Sequence, residues 1–232
     1  MESILSYQDV SKIYGSKVAL DGINLDIPQN SIIGLLGPNG SGKTTLLKLA
    51  SGLLTPSTGT ITSLGNKIGA VTKENIAYQP DRVFLNDWMT VLDLINMMAD
   101  FFSNFNKEKA LDLVKDLHLN PKDRIKTLSK GNKEKVQLIM TMSREVKLYL
   151  LDEPIGGVDP AAREYILKTI LNNYKENSSI IISTHLILDI EEILTYIIFL
   201  KQGHIVRQGN ANEIRQNTGM TIDQLFREEF RC

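Results

Sequence analysis

Four short, mostly apolar runs punctuate the chain, at 31–36, 147–151, 179–183 and 196–200. Each is short, lacks the period-two alternation of a half-exposed strand, and so predicts a strand buried on both faces. A helical stretch follows the first run, from Gly42 to about Gly52. Strands of this kind separated by helices predict an α/β protein with a parallel sheet covered on both sides. Residues 3–27 and 58–79 have a different texture, of short strands punctuated by turns, with Thr55-Pro56-Ser57-Thr58-Gly59 as the turn between them. Over 88–143 the spacing turns helical: Leu92, Ile95, Met98, Ala99 and Phe102 recur at helix period, and Thr90 with Asp93 forms a capping signal ahead of them. A second amphipathic helix is predicted from Asn106 to Leu119, stopped by Asn120-Pro121, and residues 210–231 read as two short helices.

The 232 residues fit one domain with an inserted helical part. Its core is placed at 1–81 and 147–210, the helical insert at 82–146, and C-terminal helices at 211–232. Lys and Arg total 26 against 27 Asp and Glu, a formal net charge of −1, without the basic surplus that tracking a nucleic-acid backbone requires. No nucleic-acid partner is expected. The single cysteine, Cys232, permits neither an internal disulfide nor a cysteine zinc site and suits a reducing cytosol. No basic and apolar leader and no run near the ~18 apolar residues of a membrane span is found. His118, assigned to an amphipathic helix, and His204, in the turn Gln202-Gly203-His204, share no metal-ligand spacing. Trp88, Met89, Met97, Met98, Phe101, Phe102 and Phe105 are large apolar residues of a kind more often core than contact.

The first chemistry-bearing motif is Gly37-Pro38-Asn39-Gly40-Ser41-Gly42-Lys43-Thr44, which fits G-x-x-x-x-G-K-[ST] between a buried strand and a helix. Glycines let backbone N–H groups turn inward around phosphate oxygens, and the helix directs the positive end of its dipole at the same anion. Lys43 is placed to reach the β- and γ-phosphates, and Thr44 to offer its hydroxyl to Mg²⁺. A nucleoside triphosphate is the ligand this implies. The second motif is Leu148-Tyr149-Leu150-Leu151-Asp152-Glu153, an apolar strand ending in two carboxylates. Asp152 is positioned as the strand-end carboxylate that helps hold Mg²⁺, and Glu153, at the mouth, as the group that polarises an attacking water.

A third stretch, Leu128-Ser129-Lys130-Gly131-Asn132-Lys133-Glu134, stands shortly before the acidic strand and leads into a helix continuing Val136-Gln137-Leu138-Ile139-Met140. With these motifs in this order, from Tyr14 to about Gly209, the chain resembles the ATP-binding subunit of an ABC transporter. The lysine-containing signature resembles those of bacterial ABC-2-type exporters. The resemblance implies a P-loop core with an antiparallel β subdomain and an inserted helical subdomain. It implies that Tyr14 stacks on adenine, that Gly37, Pro38, Asn39, Gly40, Ser41, Gly42, Lys43, Thr44 and Thr45 form the phosphate loop, and that Asp152 and Glu153 are the metal carboxylate and catalytic base. In Gly156-Gly157-Val158-Asp159 it makes Asp159 the aspartate of the D-loop, and it makes His185 the switch histidine that contacts the γ-phosphate. It further implies a head-to-tail dimer, with a second copy or a related chain, in which each ATP lies between one subunit's phosphate loop and the other's signature. A separate integral membrane permease is the implied partner, with the ATPase peripheral on the cytoplasmic face of the membrane.

Two departures stand out. In Ile76-Ala77-Tyr78-Gln79-Pro80-Asp81, alignment on the proline puts Asp81, and not Gln79, at the position where the family has the Q-loop glutamine. A carboxylate there can still assist Mg²⁺ or its water. In the signature, Lys130 replaces a glycine and Asn132 a glutamine, while Ser129 and Gly131, the phosphate contacts, remain. Lys130, Lys133 and Lys135 crowd a helix N-terminus, where the dipole disfavours cations and a phosphate brought by a partner would relieve them; for Lys133 and Lys135 a solvated basic face is the alternative. Phe84 and Trp88 are candidates to line a groove for a permease helix. The competing functions are a soluble ATPase acting on nucleic acid or ribosomes, and a module that senses ATP without hydrolysing it.

Overall fold

The computed structural model describes residues 3–156, 160–173 and 177–231. The elements run β1 (Ser3–Tyr14), β2 (Lys17–Pro28), β3 (Ile32–Leu36), α1 (Lys43–Ala50), β4 (Thr58–Ser63), β5 (Asn66–Lys67), α2 (Ala70–Glu74) and β6 (Ile76–Gln79). They continue α3 (Val91–Phe101), α4 (Lys107–Asp116), α5 (Lys130–Met142), β7 (Leu148–Asp152), α6 (Pro160–Asn173), β8 (Ser179–Thr184), β9 (Tyr196–Lys201), β10 (His204–Asn210), α7 (Ala211–Thr218) and α8 (Ile222–Glu229).

The apolar runs become the middle of a six-stranded sheet, ordered β10-β9-β3-β8-β7-β6 and parallel except at the β10 edge. Side chains alternate across it. Ile33, Leu35, Leu148, Leu150, Ile181, Ile198 and Leu200 pack on α1 and the antiparallel strands, whereas Tyr149, Leu151, Ile180, Ile182, Ile197 and Phe199 pack on the helices of the other face. Burial on both sides is why these strands carry no polar alternation. The second sheet, β2-β1-β4-β5, is antiparallel.

Several expectations are corrected. Residues 3–27 form two twelve-residue strands and not several short ones, bent by register shifts that break the alternation on which a sequence reading depends. Residues 76–79 form the expected strand, which joins the parallel sheet beside β7. In α3 the reciprocal Thr90–Asp93 cap is present, but the buried stripe is Val91, Leu94 and Ile95, with Leu92 only half-buried. Helix α4 ends at Asp116, and His118 lies beyond it in left-handed backbone (φ 54°). Helix α5 starts inside the signature, with Ser129 as its cap and Gly131 in its first turn. Phe84, Trp88 and Phe101 are exposed, whereas Met89 and Phe105 are core. Among the described residues, no helix is long and apolar enough to cross a membrane.

A candidate nucleotide site

Strand β3 ends at Leu36 and the chain turns through 37–42 into α1. The turn demands glycine for two different reasons. At Gly37 a Cβ would stand 2.4 Å from the Leu200 carbonyl oxygen and 2.6 Å from Ser41 Oγ. At Gly42 the backbone is left-handed (φ 112°), and a Cβ would meet the Ala19 carbonyl at 2.8 Å. The loop is braced from behind. Gly203, in the β9–β10 turn, donates its N–H to Ser41 O at 2.9 Å and accepts from Asp21 N at 3.1 Å. The first amides of α1 have no acceptor within the helix and so face the loop's hollow as donors. Ser41 Oγ is buried with no hydrogen-bond partner among the described residues.

A cavity of about 280 Å³ opens in front of this loop. It is lined by Tyr14, Asn39, Gly40, Gly42, Lys43, Thr44, Thr45, Asp81 and Glu153 among the sequence-selected residues, with Lys17 and Ala19 beside them. Tyr14 presents its ring at the edge of the site, 44% exposed. Gly37, Pro38 and Ser41 shape the loop without lining the cavity. Lys43 Nζ donates to Gly37 O at 2.8 Å and Pro38 O at 3.3 Å, and lies 3.6 Å from Glu153 Oε1. Its burial lowers its pKa from the usual lysine range, while Glu153 and Asp152 oppose that shift.

Asp152 is fully buried at the end of β7. Its carboxylate accepts from Ser183 Oγ at 2.5 Å and, more loosely, from Tyr78 Oη at 3.4 Å, with Thr44 as a further side-chain partner. Burial pushes its pKa up; the Ser183 and Thr44 hydrogen bonds pull against this, and Asp81 and Glu153 add to it. No cluster of three or more His, Cys, Asp and Glu forms a metal cage among the described residues. The set Thr44, Asp152 and Asp81 is instead the sparse, hard-oxygen arrangement that suits Mg²⁺, which takes one or two carboxylates and completes its shell with phosphate and water. Burial of Asp152 with two acidic neighbours also leaves excess negative charge for a cation to offset.

Glu153 follows in left-handed backbone (φ 48°), a strained conformation for a side-chain-bearing residue. Its N–H is held by Ser183 O and Oγ, and its carbonyl by Gly156 N. This turn swings its carboxylate out of the sheet to Lys43 on one side and His185 on the other, where His185 Nδ1 lies 3.0 Å from Glu153 Oε2. Asp81 stands at the cavity wall, whereas Gln79 is 3% exposed and points into the protein. Ser129 and Gly131 do not line the cavity. Of the three lysines at the helix start, Lys133 is tied to Asp87 at 2.8 Å and Lys130 to Glu134 at 3.8 Å. Asp159 lies outside the described residues.

Sequence reasoning missed Tyr78, Ser183, Gly203 and Gln137. The first three touch Asp152 or the loop from distant parts of the chain, and no local motif marks them. Gln137 was visible only as one polar residue inside an apolar helix face.

The sequence profile of the ABC transporter family matches residues 20–156. The chain is 32% identical over 221 residues to the uncharacterized ABC transporter ATP-binding protein YhaQ of Bacillus subtilis, covering 93% of this chain and 74% of that one. It is 30% identical over 228 residues to the bacitracin transport ATP-binding protein BcrA of Enterococcus faecalis, covering 93% and 72%. Among solved structures, it is similar to an ATP-binding subunit of an ABC transporter, with a TM-score of 0.88 at 25% identity over 97% of this chain and 99% of the other.

Proposed function

This chain belongs to the ABC transporter family, and from that premise we propose that it is the ATP-hydrolysing subunit that dimerises around ATP and powers a separate membrane permease, working on the cytoplasmic face of the membrane. The observation that carries this reading is the division of the site. Lys43, Asp81, Glu153 and part of the phosphate loop line one cavity, with Asp152 and His185 bonded to Thr44 and Glu153 of that lining, whereas Ser129 caps its own helix and neither it nor Gly131 lines the cavity. A triphosphate held by this cavity presents its γ-phosphate outward, where the signature of a second subunit completes the enclosure. Since the chain carries both halves, Glu153 on one side and Ser129 with Gly131 on the other, a homodimer contains two complete sites.

In this reading Tyr14 stacks on adenine, and the loop amides from Gly37 to Thr45 with Lys43 hold the phosphates. Thr44, Asp152 and Asp81 hold Mg²⁺, which when bound neutralises charge on the phosphate oxygens. Glu153 accepts the proton of the attacking water, and His185 orients that carboxylate and contacts the γ-phosphate. Asp159, by the family resemblance, belongs to the same interface. Preorganised charge supplies most of the rate. The permease docks on the face carrying Phe84 and Trp88, which are 76% and 71% exposed although large and apolar. The likeness to a bacitracin transport protein and the lysine-containing signature support an exporter.

The test is a pull-down of the tagged chain from gently solubilised membranes, with partners identified by mass spectrometry. Recovery of a stoichiometric polytopic membrane protein is the expected result. Recovery from cytosol alone, with ribosomes or without a partner, contradicts the transporter role and leaves the ATPase chemistry standing.

A further inference from the structure

Helix α5 carries an amide side chain where its neighbours are apolar. Gln137 is 7% exposed, flanked by the core residues Val136, Leu138 and Ile139. Both ends of its amide are used, and both on the same loop. Its Nε2 donates to Pro80 O at 2.8 Å, and its Oε1 accepts from Phe84 N at 3.2 Å. These two backbone groups bracket residues 81–83, so one side chain closes the base of the loop that carries Asp81. One turn earlier on the same helix face, Lys133 pairs with Asp87 at 2.8 Å.

The consequence is mechanical. Pro80 follows directly on β6, which is bonded to β7 and hence to Asp152. The N-terminus of α5 carries Ser129 and Gly131. Gln137 lies eight residues on from Ser129, about 12 Å along the helix. A buried amide with both partners in place costs the free energy of two hydrogen bonds to displace, so the loop follows the helix and does not slide on it. We propose that Gln137 is a positioning residue that fixes Asp81 at the metal end of the nucleotide site and makes its carboxylate follow the signature helix. This rests on the reading of Asp81 as a partner of the metal.

Mn²⁺ binding to the ATP complex, read by the electron paramagnetic resonance of free Mn²⁺ in the full chain carrying Glu153→Gln, tests it. Gln137→Met keeps length and loses both hydrogen bonds. It is expected to weaken Mn²⁺ by about tenfold, as losses among supporting partners of metal ligands do. ATP affinity in excess EDTA is expected to remain unchanged. Asp81→Ala is expected to weaken Mn²⁺ as much, and the double variant no further. Gln137→Glu, which still accepts from Phe84 N but cannot donate to Pro80 O, is expected to fall between; it carries the test alone if the methionine variant does not fold. Unchanged Mn²⁺ affinity in the Gln137 variants while Asp81→Ala weakens it overturns the inference, as do additive effects. Unchanged affinity in Asp81→Ala instead removes Asp81 from the metal and the inference with it.

Discussion

The Lys43 ammonium lies 3.6 Å from Glu153 Oε1, while the other oxygen of that carboxylate faces His185 Nδ1 at 3.0 Å. Glu153 is therefore shared between a buried ammonium and an imidazole. In the proposed function, a triphosphate bound at the loop would compete for Lys43 and leave Glu153 to act on water. Glu153→Gln keeps the shape and the hydrogen bonding and loses the proton acceptor. Expected are ATP binding as in the parent and a turnover lower by at least about a hundredfold. Nucleotide binding and phosphate release measured side by side check this; parental turnover would remove Glu153 from the role.

Gly203 reaches the site only through the loop. Its backbone is left-handed (φ 83°), and a Cβ would stand 3.0 Å from Ala19 O. Gly203→Ala should cost about 1–2 kcal/mol of stability and slacken the bond to Ser41. ATP affinity should fall, while turnover at saturating ATP stays as in the parent. Calorimetric unfolding with a saturation curve separates the two effects, and a lowered turnover at saturation would show that Gly203 acts on catalysis.

Asp152 gives a pH dependence whose sign is set by its burial. Its folded pKa is raised, so between the ordinary carboxylate value and the raised one the folded chain holds a proton that the unfolded chain has released. Stability contributed by this group is full at low pH and declines as pH rises through that window. Asp152→Asn removes the cost of a buried charge. Its melting temperature should exceed that of the parent at neutral pH, by about 2–4 °C per kcal/mol relieved. The gain should shrink toward about pH 4. A difference independent of pH would mean that the charge is not its source.

The legible part of this molecule was what the chain states locally. Runs such as 179–183 are buried on both faces, and their uniform apolarity says so. The glycines of 37–42 and the carboxylates after β7 are sequence neighbours, so their spacing carries their geometry. Asp81 was reachable through the proline beside it, and the structure puts it at the cavity wall while Gln79 turns inward. What stayed hidden depends on contacts between distant residues. Ser183 reaches Asp152 across adjacent strands, Gly203 supports a loop more than 150 positions away, and Gln137 closes a loop two elements earlier. Trp88 and Phe101 read as core because large apolar side chains are usually buried, and residue type alone does not say which of them face solvent.

Phe84 and Trp88 expose apolar surface next to the loop that carries Asp81. Phe84→Ser and Trp88→Ser should leave the ATPase rate of the isolated chain unchanged, because neither side chain lines the nucleotide cavity. Recovery of the membrane partner in the pull-down should drop. Equal recovery would place the docking face elsewhere.

The division of the site between two subunits is tested most directly by the solution mass of Glu153→Gln, measured by light scattering with MgATP and with MgADP. A divided site requires twice the 26.0 kDa of the chain with ATP and the single mass with ADP, and loss of the ATP-bound dimer when Ser129→Arg is added. A chain that binds ATP yet stays at the single mass would contradict it.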